Sequence, residues 1–252
     1  MIGHIAAREL RSLFLSPLAW SILAVVQFIM AFLFLAQIEE YVALQPRLAM
    51  LENPLGVTEV IVAPLFANAT SVLLLVIPLL TMRLVSEERR AGTLPLLFSA
   101  PVSMTEIILG KYLGVMTFLG ILLLLLALMP LSLLFAGSLD LGTFAAGLLG
   151  LMLMLSAFAA AGLWLSTLTA QPTVAAVGTF GMLLLPWIID WAGRAVGDAG
   201  QSGVFAYLSL QRHYQAMLRG IFDTSDIVYY LLFITVFVVF SIRRLDADRL
   251  QH

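Results

Sequence analysis

Six apolar runs, each close to the ~20 residues needed to cross the hydrocarbon core of a bilayer, govern what this chain can become. They cover residues 17–37, 61–85, 112–135, 143–168, 173–189 and 227–242. A charge at the centre of such a run costs about 2.5–3.5 kcal/mol, roughly what six leucines gain. All six runs keep their centres free of Asp, Glu, Lys and Arg, and Arg83 sits at the very end of the second. A soluble domain is about a quarter charged, whereas here the share is 11%, with 62% hydrophobic residues and a mean hydropathy of +1.04. Most of the surface must therefore face lipid. The expected fold is all-α and integral to the membrane, a single transmembrane domain over residues 1–252 with six spans. The fifth span is the weakest, since it carries Gly178, Gly181 and Pro186 and only residues 169–172 separate it from the fourth.

Lysine and arginine counts orient the bundle. With the N-terminus inside, nine of the 13 cations fall on inner segments. These are Arg8, Arg11, Arg83, Arg89, Arg90, Lys111, Arg243, Arg244 and Arg249. Arg47, Arg194, Arg212 and Arg219 remain outside. Both termini are expected in the cytoplasm of a bacterium, with the protein multi-pass in the inner membrane. The apolar core of the first run is too long for a cleaved signal and no small-x-small site precedes Glu39 and Glu40, so it should remain as a signal anchor. The net charge of −2 gives no basic field for nucleic acid. The absence of cysteine removes disulfides and thiolate chemistry.

Residues 1–15 show helical periodicity. Ile2, Ile5, Ala6, Leu13 and Phe14 share one face, with His4, Arg8 and Arg11 on the other. This is the pattern of an amphipathic helix in the membrane interface. Glu9 falls on its apolar side, which a helix lying on lipid would avoid, so Glu9 is expected to meet protein, such as a partner subunit. The loop after the second run, residues 86–101, is the most informative segment. Glu87, Glu88, Arg89 and Arg90 come first, then Gly92. Thr93 is a good N-cap, and Pro95 suits a first helical turn. Leu94, Leu97 and Phe98 make a short apolar face that Pro101 ends. Ser103 to Glu106 is a capping box opening the next helix. A short apolar-faced helix of this kind suits a groove on another protein, or equally lies on lipid as an interfacial turn. Before the last run, Tyr207, Leu210, Tyr214, Met217 and Ile221 form one helical stripe, and Gly220 fits its C-terminal cap. That segment lies on the outer leaflet or dips back between spans. The first outer loop, 38–60, is acidic and expected to be partly helical.

Several of these features together are similar to one family. Ser16-Pro17-Leu18-Ala19 follows the amphipathic segment. Then come Glu87-Glu88-Arg89-Arg90-Ala91-Gly92-Thr93-Leu94 with Leu97, Ala100-Pro101-Val102-Ser103, and Gly110-Lys111. In this order, within six spans, the chain resembles the permeases of ABC-2 type ABC transporters. Within that family it is most similar to the branch of gliding-motility permeases (GldF) and the permease of nitrous-oxide-reductase maturation (NosY). The resemblance covers the whole chain. It implies the ABC-2, or type V exporter, fold, and a permease dimer, expected to be a homodimer, bound to two cytoplasmic ATPase subunits. It implies a coupling helix near residues 89–100, an N-terminal helix that also approaches the ATPase through Arg8, Glu9 and Arg11, and an outer segment that partly re-enters the membrane. A further periplasmic or membrane accessory subunit is compatible with it. This chain then binds no cofactor itself, with ATP and Mg on the partner. No G-x-x-x-x-G-K-[ST] loop occurs, and Gly110-Lys111 is followed by Tyr112. The implied function is export of a substrate, or mechanical transmission across the membrane, without catalysis by this chain.

The residue types set the alternatives. His213 is the lone histidine away from the termini and cannot supply a metal shell by itself. With Tyr207, Arg212 and Tyr214 it marks an outer-face or pathway candidate, although an ordinary helix decoration is the commoner role. The 11 methionines form no tight Met-x-x-Met cluster and fit packing. Gln27, Asn68, Ser71, Ser156, Thr167 and Thr179 lie within spans, where interhelical hydrogen bonds are the usual reason. With no charge at mid-span, an ion-coupled carrier is disfavoured. Gly147, Gly150, Ala157 and Ala161 allow close packing within or between subunits. An intramembrane serine protease lacks a span histidine to partner Ser156. A purely structural anchoring subunit stays open, because nothing in the sequence marks a substrate pocket.

Overall fold

The computed structural model describes residues 1–48, 50, 56–94, 102–135, 139–196 and 209–250. Helix α1 (Ile2–Leu15) breaks at Ser16, whose extended backbone and hydroxyl receive the next helix, α2 (Pro17–Leu48). Proline is tolerated at a helix start because its missing N–H would have had no partner there. Trp20 Nε1 donates to the Phe14 carbonyl at 2.9 Å, and the two rings meet edge-on, so the corner between α1 and α2 is fixed by side chains.

A π-helical turn at Thr58–Val62 runs directly into α3 (Ala63–Thr81). The short helix α4 (Ser86–Arg90) follows, then α5 (Met104–Leu131) with a 3-10 turn at Ser132–Phe135, α6 (Leu141–Leu168), α7 (Pro172–Val196), α8 (Leu210–Leu218) and α9 (Thr224–Leu250). Among the described residues five helices are long and apolar enough to cross a membrane. The apolar part of α7, Pro172–Ile188, is shorter.

Most expected runs prove to be the apolar centres of longer helices. The first extends outward to Leu48, the third begins at Met104 and the last continues to Leu250. The apolar criterion stops at charge, whereas a helix continues while its backbone bonds and caps are satisfied. The second run is instead interrupted, since α3 ends at Thr81 and the chain turns before α4. The capping box at Ser103 and Glu106 is present in full.

Helix α6 forms the centre of the bundle and packs against α3, α5, α7, α8 and α9. Its small residues make this possible. A Cβ on Gly150 would meet Met217 Sδ at 2.8 Å, and Phe66 lies 3.0 Å from the equivalent point on Gly147. Ala157 and Ala161 are fully buried. The small residues of the fourth span thus serve packing within the subunit. Gln27 donates from α2 to the Leu122 carbonyl of α5 at 3.2 Å, an interhelical bond of the expected kind.

Candidate functional site

The functional candidates gather at the end of the bundle where both chain termini lie. The N-terminal helix docks there first. Gly110 and Gly114, one turn apart on α5, leave a groove for α1. An added Cβ at these positions would stand 2.6 Å from Ile5 Cβ and 2.7 Å from Glu9 Cβ. The face of α1 holding Ile5, Glu9, Leu13 and Phe14 is half-buried, while His4, Arg8 and Arg11 are exposed. The periodicity read from sequence is correct, but the helix rests on protein. The protein that Glu9 meets is its own chain. Glu9 accepts from Lys111 Nζ of α5 at 3.4 Å.

Lys111 is only 2% exposed. A cation so deeply desolvated needs paired anions, and the second comes from α4, where Glu88 Oε1 lies 2.8 Å from Nζ. Arg8 reaches the same oxygen at 3.5 Å from solvent. Glu88 therefore joins α4 to α1 and α5.

The next residue faces the other way. Arg89 Nη2 donates to the Thr167 carbonyl at the end of α6, at 2.8 Å, and pairs with Asp248 near the end of α9. Arg244 supports the same carboxylate from one turn earlier, at 3.6 Å. The approach to α4 is stitched as well. Val85 and Ser86 both donate their backbone N–H to Ser166 Oγ, at 3.0 and 3.1 Å, and that hydroxyl donates to the Met82 carbonyl. Within this cluster two side-chain atoms, Glu88 Oε2 and Arg89 Nε, are buried without a partner among the described residues.

Helix α4 ends in a Schellman motif. Gly92 adopts φ +68, and the N–H groups of Gly92 and Thr93 bond to the carbonyls of Arg89 and Glu88. A left-handed residue at this position suits glycine because it has no Cβ to clash. Thr93 also donates its hydroxyl to the Glu88 carbonyl, so it closes α4. The four charges thus form a helix of their own ahead of the apolar segment. Glu87 and Arg90 are exposed and Leu94 is buried. Leu97, Phe98 and Pro101 lie outside the described residues, as does Tyr207.

Sequence reasoning picked out Glu88 and Arg89 but not their partners Lys111 and Asp248. One signal pointed to Lys111. A lone acid on the apolar face of α1 requires a base on whatever helix it docks to, and Lys111 is flanked by Gly110 and Gly114, residues small enough to admit that helix. Asp248 carried no such signal, because Asp246, Asp248 and the nearby arginines read as an ordinary solvated helix end.

At the opposite end, α8 is clamped between α6 and α9. Tyr214 is fully buried against Gly150, and Tyr230 donates to the Leu210 carbonyl at 2.7 Å. His213 Nδ1 lies 2.6 Å from the Asp226 carboxylate, and its ring stacks on Tyr229. Arg212 is half-buried beside it. The stripe read from the sequence is shorter than expected. The helix ends at Leu218, Gly220 takes the left-handed cap at φ +76, and Ile221 is exposed. Ser156 spends its hydroxyl on the Met152 carbonyl of its own helix, at 2.6 Å. No group of three or more metal-ligating side chains occurs among the described residues.

The family model described as ABC-2 family transporter protein matches residues 4–250, nearly the whole chain. A search of curated proteins finds no match.

Proposed function

Since this chain belongs to the ABC-2 transporter family, we propose that it is the permease subunit of an ABC transporter, driven by a separate ATPase chain that binds ATP and Mg. The observation that supports this reading is the joint at α4. A five-residue helix immediately before the expected docking segment is held to α5 and α9 by buried ion pairs, to α6 by a hydrogen bond and to α1 by the exposed Arg8. A displacement applied at residues 94–101 would be delivered through Glu88 to α1 and α5, and through Arg89 to α6 and α9. That is the mechanical property a coupling element needs, because packed interfaces switch between discrete arrangements and do not deform continuously.

In this reading Glu88 and Arg89 transmit motion inside the permease, while Leu97 and Phe98 meet the ATPase together with exposed Glu87, Arg90 and Arg8. Two ATPase copies and a second permease complete the assembly, which exports a substrate or relays motion to an outer partner. Six crossings are favoured by parity, since both termini lie at the α4 end. Helix α7 begins beside α4 and ends beside α8. Its 25 residues reach about 37 Å at ~1.5 Å per residue, enough for a ~30 Å core. The excess of inner cations supports a cytoplasmic α4 end, and in this reading the membrane is a bacterial inner membrane. The GldF/NosY-like branch is the part of the family to which we assign the chain.

The test is a mild-detergent purification of the tagged chain from its native host. An ABC ATPase in near-equal amount is expected. The chain recovered alone, even after crosslinking, would overturn the permease reading and favour an anchoring subunit. Leu97→Asp should leave insertion intact but weaken ATPase recovery, and unchanged recovery would remove the docking role from this segment. A reporter fused after His252 should read as cytoplasmic.

A further inference from the structure

The end of the bundle opposite α4 contains a cavity of about 590 Å³ that the coupling mechanism does not use. Ligand sites commonly fall between about 300 and 1,000 Å³. Four elements wall it: the π-helical turn, the start of α3 that follows it, the first turn of α6 and the C-terminal end of α8. They are fixed to one another. Thr58 Oγ1, on the π turn, accepts the Asp140 backbone N–H at 2.9 Å, and Asp140 caps α6 through Gly142 and Thr143. On the α8 side, Gly220 approaches so closely that an added Cβ would stand 2.7 Å from Thr143 Oγ1. The cavity is therefore formed before any ligand arrives. Single π turns of this sort occur often at functional sites.

Its lining is chemically divided. Glu59, Gln215 and Thr143 present acceptor oxygens, and Arg219 presents a guanidinium. Glu59 and Arg219 line the same space, yet neither carries a hydrogen bond or ion pair from its side chain among the described residues. Ala63, Pro64 and Leu218 supply an apolar wall. The cavity lies where two apolar membrane helices begin, which is the level of the lipid headgroups.

We infer that this cavity binds a phosphoethanolamine zwitterion, with its ammonium on Glu59 and Gln215 and its phosphate on Arg219. The geometry of recognition follows from the donors. A primary ammonium has N–H groups for Glu59 and the Gln215 carbonyl. A choline has none, so the site discriminates ethanolamine from choline headgroups. Arg219 offers a planar fork that pairs with phosphate oxygens. The apolar wall accepts the glycerol and first methylenes when the zwitterion is carried by a phospholipid. A free glycerophosphoethanolamine presents the same charges without the acyl chains.

The test uses the purified full chain in phosphatidylcholine nanodiscs doped with phosphatidylethanolamine, with bound lipid counted by native mass spectrometry. Wild type should retain phosphatidylethanolamine over phosphatidylcholine by about tenfold or more. Glu59→Gln should reduce that preference about tenfold, whereas Arg219→Gln should lower retention of both lipids about tenfold and leave their ratio unchanged, because both carry the phosphate; each change is as expected for losing one charge-assisted contact. Both side chains are exposed, so neither change threatens folding, and Gln215→Leu provides a third variant without a charge change. Displacement by soluble glycerophosphoethanolamine would assign the site to the free zwitterion. Retention against that competitor would assign it to the lipid. Equal retention of both lipids by wild type, undiminished preference in Glu59→Gln and Gln215→Leu, or undiminished retention of both lipids in Arg219→Gln would overturn the inference. Binding is read without the ATPase, so this result and the permease reading fail independently.

Discussion

Removing Lys111 should damage the protein more than removing either of its partners, and by an amount that can be bounded. At an effective dielectric of about 20, the Glu88 contact at 2.8 Å is worth about 6 kcal/mol of gross attraction. The Glu9 contact at 3.4 Å is worth about 5 kcal/mol on the same basis. Most of this is offset by desolvation, which costs several kcal/mol per ion, and by repulsion between the two carboxylates. Lys111→Met keeps the volume of the stem but strands Glu9 and leaves Glu88 only the solvent-exposed Arg8. The two acidic side chains are 16% and 20% exposed, so water screens them only in part. A loss of about 3–4 kcal/mol is expected, near the lower end of the range for breaking a buried pair. Glu88→Gln leaves Lys111 with Glu9 and should cost only about 1–2 kcal/mol.

The assay is a double-mutant cycle on unfolding in mixed micelles, with Glu88→Gln, Lys111→Met and the combination. Lys111→Met in a Glu88→Gln background strands Glu9 alone, whereas the single variant also takes from Glu88 its buried cation. The double variant should therefore be more stable than the sum of the singles implies, by about 1–3 kcal/mol. Additivity within ~0.5 kcal/mol would show that the residues do not share a desolvated site. Glu88→Gln costing as much as Lys111→Met would refute the reasoning more directly, because the asymmetry rests on Lys111 being the shared ion.

Three further outcomes follow from the same geometry. Gly114→Leu should lift α1 from α5 without preventing insertion, because even a Cβ there would press on Glu9 at 2.7 Å, and hydrogen exchange over residues 2–15 should rise sharply. Gly162→Ala should destabilise by about 1–3 kcal/mol through overpacking against Thr81; Thr81→Ala should rescue only part of that in a thermal melt, since Thr81 Cβ would remain 2.8 Å away. The Asp140 carboxyl is held below its ordinary value of 3.8, chiefly by the Thr143 hydroxyl and then by the Gly142 and Thr143 N–H groups. Its capping contribution is therefore complete above the ordinary value and fades as the pH falls through the lowered one, so Asp140→Ala should lower the melting temperature at pH 7 and approach wild type as the pH falls through that lowered value.

The lipid-facing character of the chain was legible because bilayer thickness imposes a length and charge is costly inside it. The apolar runs consequently marked five of the long helices, and the capping box at Ser103 fixed the start of α5. Helix ends beyond the apolar centres were less legible, since hydropathy stops at the first charges while the α9 backbone continues to Leu250. The candidate site was half legible. Composition drew attention to Glu88 and Arg89, but a run of four charges reads as a solvated surface, and nothing in local sequence says that adjacent residues point into opposite interfaces. That fact belongs to tertiary structure, with partners 23 and 159 residues away.

Burial of these charges has a consequence for how the joint must work. Replacing a buried ion pair with well-packed apolar residues is often neutral or stabilising, so stability alone gives no reason to place Lys111, Glu88, Arg89 and Asp248 where they are. What ion pairs offer in place of apolar packing is direction. Glu88 can hold only the cation on α5 and α1, and Arg89 only the anion and carbonyl on α9 and α6. The two grips sit on consecutive residues, so a rotation of α4 cannot relax one without loading the other. Glu88 Oε2 and Arg89 Nε each retain a buried, unfilled hydrogen-bond position. A second arrangement of the joint that filled those positions would recover part of the cost of leaving the first, which is the condition for a connector with two stable settings.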